Sequence, residues 1–200
     1  MNKKLILLAG YPGTGKTYLC NIILEWRNCF VVLSPDDIKE KFWDELGFDS
    51  LEEKEKTIQL SWDYYYKKMK EIMQGGSSII SDYPFSEKHK SKIELLSEQY
   101  GYQIVTIRLT GDLDVLFERQ KKRDLDTNRH LGHILNCYHY GEHVKNRSEA
   151  DGLVDYKEFT KRCRTRGYGN FELGHLIEMD MTDFSSIDYS ELLRQLKKLE

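Results

Sequence analysis

The chain has 200 residues, of which 30 are Lys or Arg and 33 are Asp or Glu, so its formal net charge is −3. This length suffices for one domain with a buried core, and the balanced charge argues against a protein that grips long duplex nucleic acid. The four cysteines form no C-x-x-C pair, and no apolar run is long enough for a signal peptide or a membrane span. We therefore expect reduced thiols, no membrane partner and a cytoplasmic location.

Short apolar runs alternate with helical patterns along the chain. Strands are predicted at Lys4–Ala9, Phe30–Leu33, Ser78–Ile80, Gln103–Leu109 and His175–Asp180. Helices are predicted at Tyr18–Trp26, Asp37–Leu46, Glu52–Gln74, Glu87–Tyr100, Asp112–Arg123 and Asp188–Leu199. Because this alternation gives βαβ crossovers, we expect a single α/β domain over residues 1–200 with a central five-stranded parallel sheet flanked by helices. A further helical segment is expected at about 135–173, without an assigned role.

The first strand leads directly into GYPGTGKT at residues 10–17, a complete G-x-x-x-x-G-K-T phosphate-binding loop. Its glycines allow a tight turn, so that backbone N–H groups and the following helix N-terminus point at a polyphosphate. Lys16 would reach the β- and γ-phosphates, and the Thr17 hydroxyl would hold Mg²⁺. The predicted loop contacts to ATP are Gly13, Thr14, Gly15, Lys16 and Thr17.

Carboxylates follow the second and third strands, at the sheet edge where ligands bind in such folds. Asp36 would act as the general base for an attacking hydroxyl, and Lys39, on the same helix face, would hold an anionic group of the acceptor. Asp82 would hold Mg²⁺ or orient the acceptor hydroxyl. The alternatives are structural: Ser34-Pro35 and the following acid also suit a helix start, and Asp82 suits a turn before Pro84.

A basic stretch begins in the fifth predicted helix and continues beyond it. Its basic and histidine residues include Arg119, Arg123, Arg129, His130 and His133. Such a charge run is usually a solvated helix face. Here the spacing favours an arginine-rich lid over about 119–135, which closes over the phosphates and brings guanidinium charge to the transferring group. The spacing leaves open which arginine makes the main contact.

Two other segments have two interpretations each. Trp62 and the tyrosines at 64–66 could stack the bases of a single strand, but their three-to-four spacing with other apolar residues favours packing in the core. Residues 157–166 carry five basic side chains and one acid. They would either hold the acceptor or the adenine side of ATP or form a solvated helix, and we favour the helix slightly.

Taken together, these motifs resemble P-loop kinases of the polynucleotide 5′-hydroxyl kinase type, such as the kinase domain of the bacteriophage polynucleotide kinases. The resemblance covers residues 1–135 and rests on GYPGTGKT, Asp36-Asp37-x-Lys39, Ile-Ile-Ser81-Asp82, and Arg119 with Arg123. It implies that Asp36 is the general base, Lys39 contacts an acceptor phosphate, Asp82 belongs to the acceptor side and Arg123 acts on the ATP phosphates. Lys39 stands where that family has arginine, and Tyr83-Pro84 where it has small polar residues.

We therefore predict a P-loop kinase that uses ATP and Mg²⁺ and whose acceptor, on this resemblance, is a polynucleotide 5′-hydroxyl. The assignments are catalytic Asp36, Lys16 and Arg123; additional ATP contacts from Arg119 and Arg129; acceptor contacts from Lys39 and Asp82; and metal ligands Thr17 and Asp82. One alternative is a kinase for a small hydroxyl compound, such as a metabolite, nucleoside or antibiotic. Another is an ATP-binding regulatory module without a dedicated acceptor. The choice of ATP over GTP and the oligomeric state stay open.

Overall fold

The structure of the protein, a computed structural model, describes residues 3–199. The strands are β1 (Lys4–Gly10), β2 (Phe30–Val32), β3 (Ser78–Asp82), β4 (Gln103–Thr110) and β5 (His175–Asp180). The helices are α1 (Lys16–Trp26), α2 (Pro35–Leu46), α3 (Leu51–Gln74), α4 (Glu87–Tyr100), α5 (Leu113–Leu125), α6 (Tyr156–Thr165) and α7 (Tyr189–Lys198). Each individually predicted strand and helix is confirmed, with its ends shifted by at most two residues.

The five strands form one parallel sheet in the order β2-β3-β1-β4-β5. All seven residues of the central strand β1 are buried, as expected for a parallel strand that is covered on both faces. In the pairing of β1 with β3, Leu8 lies opposite Asp82. This register brings the loop after β1 and the acid at the end of β3 to the same edge of the sheet. The predicted α/β fold with a five-stranded parallel sheet is therefore confirmed.

Alternate residues of β1 face two separate hydrophobic cores, which follows from the two-residue period of a strand. Leu5 and Leu7 belong to the core that contains Trp62 and Tyr65 of α3. Ile6 and Leu8 belong to the core built with α1 and α7. Trp62 is only 6% exposed and Tyr65 is fully buried, so the packing interpretation of the α3 stripe is confirmed and these two rings are closed to stacking bases.

The segment 135–173, expected to be helical, contains α6 and two short 3₁₀ turns and is otherwise irregular. Hydrogen bonds from polar groups hold much of it, for example from the Asn136 backbone N–H to the Asp151 carboxylate at 2.9 Å. An isolated antiparallel bridge joins Tyr138 to Phe48, after α2. Loop hydrogen bonds thus replace the helical apolar stripe that a longer helix would need. Within residues 3–199, no helix is both long and apolar enough to cross a lipid bilayer.

Candidate active site

The phosphate-binding loop closes around the ammonium group of Lys16. Gly10, Gly13 and Gly15 have φ angles of +105°, +81° and +81°, which side chains with a Cβ rarely adopt. Lys16 Nζ donates to the carbonyl oxygen of Tyr11 at 2.6 Å. It also lies 3.3 Å from the carbonyl oxygen of Gly10 and 3.3 Å from the hydroxyl oxygen of Thr14. The ammonium therefore lies inside the loop, against backbone oxygens.

Lys16 is held in an environment that disfavours its charge. Burial, followed by the nearby positive charge of Arg123, lowers the pKa of Lys16 to about 7, although Asp82 and Asp36 act in the opposite direction. Negative phosphate oxygens close to the ammonium would stabilise the charged form. The charge of Lys16 is thus sensitive, near neutral pH, to what occupies the loop.

Thr17 and Asp82 form the oxygen pair that the sequence assigns to a metal. The Thr17 hydroxyl donates to the Asp82 carboxylate over 2.7 Å, between the start of α1 and the end of β3. Burial raises the pKa of Asp82 above the usual value of a carboxyl group. Mg²⁺ takes oxygen ligands and commonly one or two carboxylates together with substrate phosphates. This donor set beside a phosphate-binding loop therefore fits Mg²⁺.

Asp36, Lys39 and Tyr83 form a partly buried hydrogen-bonded group at the start of α2. Lys39 Nζ lies 3.1 Å from the Asp36 carboxylate and 2.8 Å from the Tyr83 hydroxyl, and it sits over the Tyr83 ring at 4.0 Å. Burial opposes ionisation of Asp36, but the charge of Lys39 and other neighbouring cations outweighs it and keeps the pKa of Asp36 well below its usual range. Asp36 is consequently a carboxylate at neutral pH.

The residues at the start of α2 also cap the helix, which is the structural alternative given for this motif. The Ser34 hydroxyl accepts a hydrogen bond from the Asp37 backbone N–H at 3.4 Å, and Pro35 is the first helical residue. Ser34 therefore caps the helix while Asp36 faces the cavity, so the two interpretations of this motif are compatible.

Arg119 and Arg123, four residues apart on α5, have different surroundings. The Arg119 guanidinium donates to the Thr182 carbonyl at 2.8 Å and lies 3.7 Å above the centre of the Phe184 ring. The Arg123 guanidinium donates to the Gln120 side chain at 2.8 Å, beside the loop that carries Lys16. Arg119 is thus fixed by the chain after β5, whereas Arg123 faces the loop.

The end of the predicted lid is docked on α2 in this structure. His133 Nε2 lies 2.7 Å from the Glu40 carboxylate, and an Arg129 nitrogen lies 3.8 Å from it. His130 Nε2 lies 3.0 Å from the carboxylate of Asp44. Asp36, Glu40 and Asp44 follow one another at four-residue spacing, a signal for one acidic helix face that was present in the sequence.

Most of these groups, though not Glu40, Asp44 or His130, line one cavity of about 570 Å³. Its charged lining residues are Lys16, Lys39, Arg119, Lys122, Arg123, Arg129, Arg162 and Arg166, against Asp36, Asp82 and Asp126. The predicted site residues Gly13, Gly15 and Thr17 also line it, whereas Thr14 is fully buried beneath the loop, where its hydroxyl donates to the Tyr11 carbonyl at 2.7 Å. The excess of basic groups suits a triphosphate and a second anion.

Several lining residues were not assigned a function from the sequence, among them Phe184, Arg162 and Arg166. Phe184 follows β5 by four residues, so the rule that ligands bind beyond strand ends could have indicated it. Half-buried Arg162 and exposed Arg166 line the cavity, whereas Lys157, Lys161 and Arg164 are exposed and do not line it. The interpretation of this basic run as a solvated helix therefore holds for Lys157, Lys161 and Arg164, whereas Arg162 and Arg166 also face the cavity. No local pattern distinguishes the two groups.

Comparison with known proteins agrees with this architecture. A family model described as an AAA domain (AAA_33) matches residues 5–133. The chain belongs to this family. As a member, it is a P-loop, kinase-like domain, which implies a nucleotide and an acceptor as its substrates. No curated protein matches the chain.

Several solved structures share the fold. A candidate kinase from Chloroflexus aurantiacus J-10-fl is 23% identical, with a TM-score of 0.73 over 98% of this chain and 95% of the other. A sugar kinase from Janibacter sp. HTCC2649 is 13% identical, with a TM-score of 0.54 over 97% and 92%. A gluconokinase from Sinorhizobium meliloti 1021 is 14% identical, with a TM-score of 0.51 over 96% and 88%. At these identities the likeness concerns the fold.

Proposed function

We propose that the protein transfers the γ-phosphate of Mg·ATP to a hydroxyl group of a small, anionic acceptor. The observation that carries the proposal is the convergence in one cavity of a phosphate-binding loop, a hydroxyl–carboxylate pair and an ionised acid. A binding module would need the loop alone, whereas a kinase also needs a group that accepts the proton of the attacking hydroxyl.

ATP would lie with its phosphates on the N–H groups of Gly13–Thr17 and with Lys16 between the β- and γ-phosphates. Phe184, under the Arg119 guanidinium, offers a flat apolar surface near the end of β5 for the base. When Mg²⁺ is bound through Thr17 and Asp82, it offsets phosphate charge. Arg123 would add positive charge at the transferring group.

The transfer step assigns the proton to Asp36. The acceptor oxygen forms a bond to the γ-phosphorus while the bond from that phosphorus to the β–γ bridging oxygen breaks, and ADP leaves with the electron pair. Asp36 takes the hydroxyl proton as this happens. Lys39 holds the carboxylate in place, because its ammonium donates to Asp36 and is itself fixed by a second hydrogen bond to the Tyr83 hydroxyl. Phosphate charge close to Lys39 would weaken its effect on Asp36 and so raise the basicity of the acid.

The size and charge of the cavity support a small, anionic acceptor. At about 570 Å³ it must accommodate both the triphosphate and the acceptor. Arg166 donates to the Tyr168 hydroxyl at 3.3 Å, and among the described residues no carboxylate lies within 4.0 Å of its guanidinium. A carboxylate or phosphate on the acceptor would supply that partner, with Arg162 beside it. The sugar kinase and the gluconokinase of similar fold act, by their names, on small hydroxyl compounds, which supports this class.

A polynucleotide 5′-hydroxyl is the second candidate. It is supported by the sequence motifs Asp36-Asp37-x-Lys39 and Ser81-Asp82, and a nucleic acid would also bring an anionic phosphate to Lys39. The burial of Trp62 and Tyr65 removes two of the four rings that could have stacked its bases, while Tyr64 and Tyr66 stay partly exposed.

The test is transfer of labelled γ-phosphate from Mg·ATP to three sets of acceptors: neutral sugars and nucleosides, sugar acids and phosphorylated sugars, and a short single-stranded oligonucleotide with a 5′-hydroxyl. We expect transfer to the anionic small molecules. Asp36→Asn should lower it by about 10²–10⁴-fold while ATP still binds. Asp37→Asn, the adjacent acid outside the cavity lining, is the matched control and should keep it.

The other outcomes would favour a different function or contradict the role of a named residue. Transfer to the oligonucleotide alone would establish the second candidate. Equal rates for neutral and anionic small acceptors would contradict the role of Arg166. ATP binding without transfer to any acceptor class would favour the regulatory module. Full activity of Asp36→Asn would refute the assignment of the base.

A further inference from the structure

A group of metal-ligand side chains lies away from the cavity, where two parts of the chain meet. Asp49 lies in the connection between α2 and α3, and Cys137 and His139 follow the lid. One ligand atom from each of the three lies within 4.8 Å of the others, and all three residues are exposed. They form the only such group of three within residues 3–199.

The distances from Asp49 to the other two ligand atoms are close to those between ligands on a tetrahedral metal ion. His139 Nε2 lies 2.9 Å from Asp49 Oδ1, and Cys137 Sγ lies 3.7 Å from the same oxygen. Zinc bonds of about 2.0–2.3 Å to O, N and S place tetrahedral ligand atoms roughly 3.3–3.7 Å apart. Rotation of these exposed side chains would complete this geometry around a central ion.

The backbone around the group already holds two of the ligands in position. Phe48 and Tyr138 exchange two backbone hydrogen bonds, of 2.9 and 2.8 Å, and each adjoins a ligand. A Cβ on Gly47 would lie 2.3 Å from His139 Nδ1, so the glycine provides the room in which the imidazole lies with Nε2 toward Asp49. Cys137 and His139, which lie 88 and 90 positions after Asp49, are thus brought to it by the paired backbone and not by their side chains alone.

We infer that Asp49, Cys137 and His139 form a site for a zinc-like divalent transition-metal ion, with water as the fourth ligand. A thiolate, an imidazole and a carboxylate are the three ligand types that zinc takes in proteins, and a site with three protein ligands leaves one position for water. On binding, the Cys137 thiol gives its proton to solvent and His139 gives up its contact with Asp49 in favour of the ion. The ion would link the segment after the lid to the chain that follows α2, the helix on which the lid is docked. This site does not depend on the proposed phosphotransfer.

The four free cysteines supply a direct test on the complete protein. Cys29 and Cys137 are exposed, whereas Cys20 and Cys163 are buried. The protein is treated with a chelator, which is removed, and then alkylated without nucleotide in the presence or absence of one equivalent of Zn²⁺. We expect Zn²⁺ to slow alkylation of Cys137 at least tenfold, measured by mass spectrometry of its peptide, and to leave the rate at Cys29 unchanged.

A second measurement uses Co²⁺ as a spectroscopic probe. The expected thiolate-to-cobalt absorption should be present in the unmodified protein and in Cys29→Ser and absent in Cys137→Ser, with a reduced affinity in His139→Ala. Zn²⁺ at about 100 times its dissociation constant should raise the Tm by roughly 5–10 °C. Equal protection of Cys29 and Cys137, no protection of either, or cobalt absorption that survives Cys137→Ser would each overturn the site.

Discussion

Lys16 offers the most quantitative test of how the cavity receives ATP. Its pKa lies at about 7 instead of 10.5, chiefly because of burial. At about 1.4 kcal/mol per pKa unit, the free protein disfavours the charged ammonium by about 5 kcal/mol. Between pH 7 and 10.5 the unfolded chain therefore binds more protons at this residue, so this residue makes the free protein more stable as the pH rises through that range. Phosphate oxygens near Lys16 should remove this cost of the charged ammonium.

We expect ATP binding to draw a proton from solvent onto Lys16. With a pKa of about 7, the free protein carries the proton in about half of its molecules at pH 7 and in about one tenth at pH 8. Binding that restores the ordinary pKa should take up about 0.5 proton at pH 7 and about 0.9 at pH 8. The affinity for ATP should then fall by up to about tenfold for each pH unit above 7.

Calorimetric titration with Mg·ATP, in two buffers of different ionisation enthalpy, measures this uptake at each pH. Lys16→Arg is the matched control, because a guanidinium stays charged over the whole range and should remove the uptake. Uptake in the unmodified protein of less than about 0.2 proton at pH 8 would refute the argument. So would an identical pH dependence in Lys16→Arg.

Two further comparisons test the arginines of α5 and the packing of the docked lid. Arg123→Ala should lower kcat by about 10²–10³-fold. Arg119→Ala should mainly raise the KM for ATP and lower the Tm, because Arg119 holds the chain after β5. Steady-state kinetics and thermal unfolding distinguish the two variants, and equal effects would contradict the assignment. Gly132→Ala would place a Cβ 2.4 Å from the buried ring of Trp43 and should lower the free energy of unfolding in urea by about 1–3 kcal/mol. Gly75→Ala, with no neighbour closer than 3.4 Å, is the control and should change it by less than about 0.5 kcal/mol.

The sequence alone determined the sheet, the helices and the phosphate-binding loop of this protein. These features depend on apolar periodicity, glycine positions and capping residues, all of which act over a few neighbouring residues. Parallel strands that share one edge also follow from alternating strands and helices, and so the grouping of Lys16, Asp36 and Asp82 could be expected. The docking of the lid left a weaker signal in the four-residue spacing of acids on α2.

Only the tertiary structure decided which side chains of the later segment face the cavity and which meet elsewhere. Arg166 lines the cavity and Arg164 does not, although both are exposed and belong to the same basic run. Cys137 reaches Asp49 across 88 positions through the pairing of Phe48 with Tyr138. Contacts between distant residues depend on how whole elements pack, and short-range patterns carry no information about that packing because the same local spacing is compatible with either face of a helix.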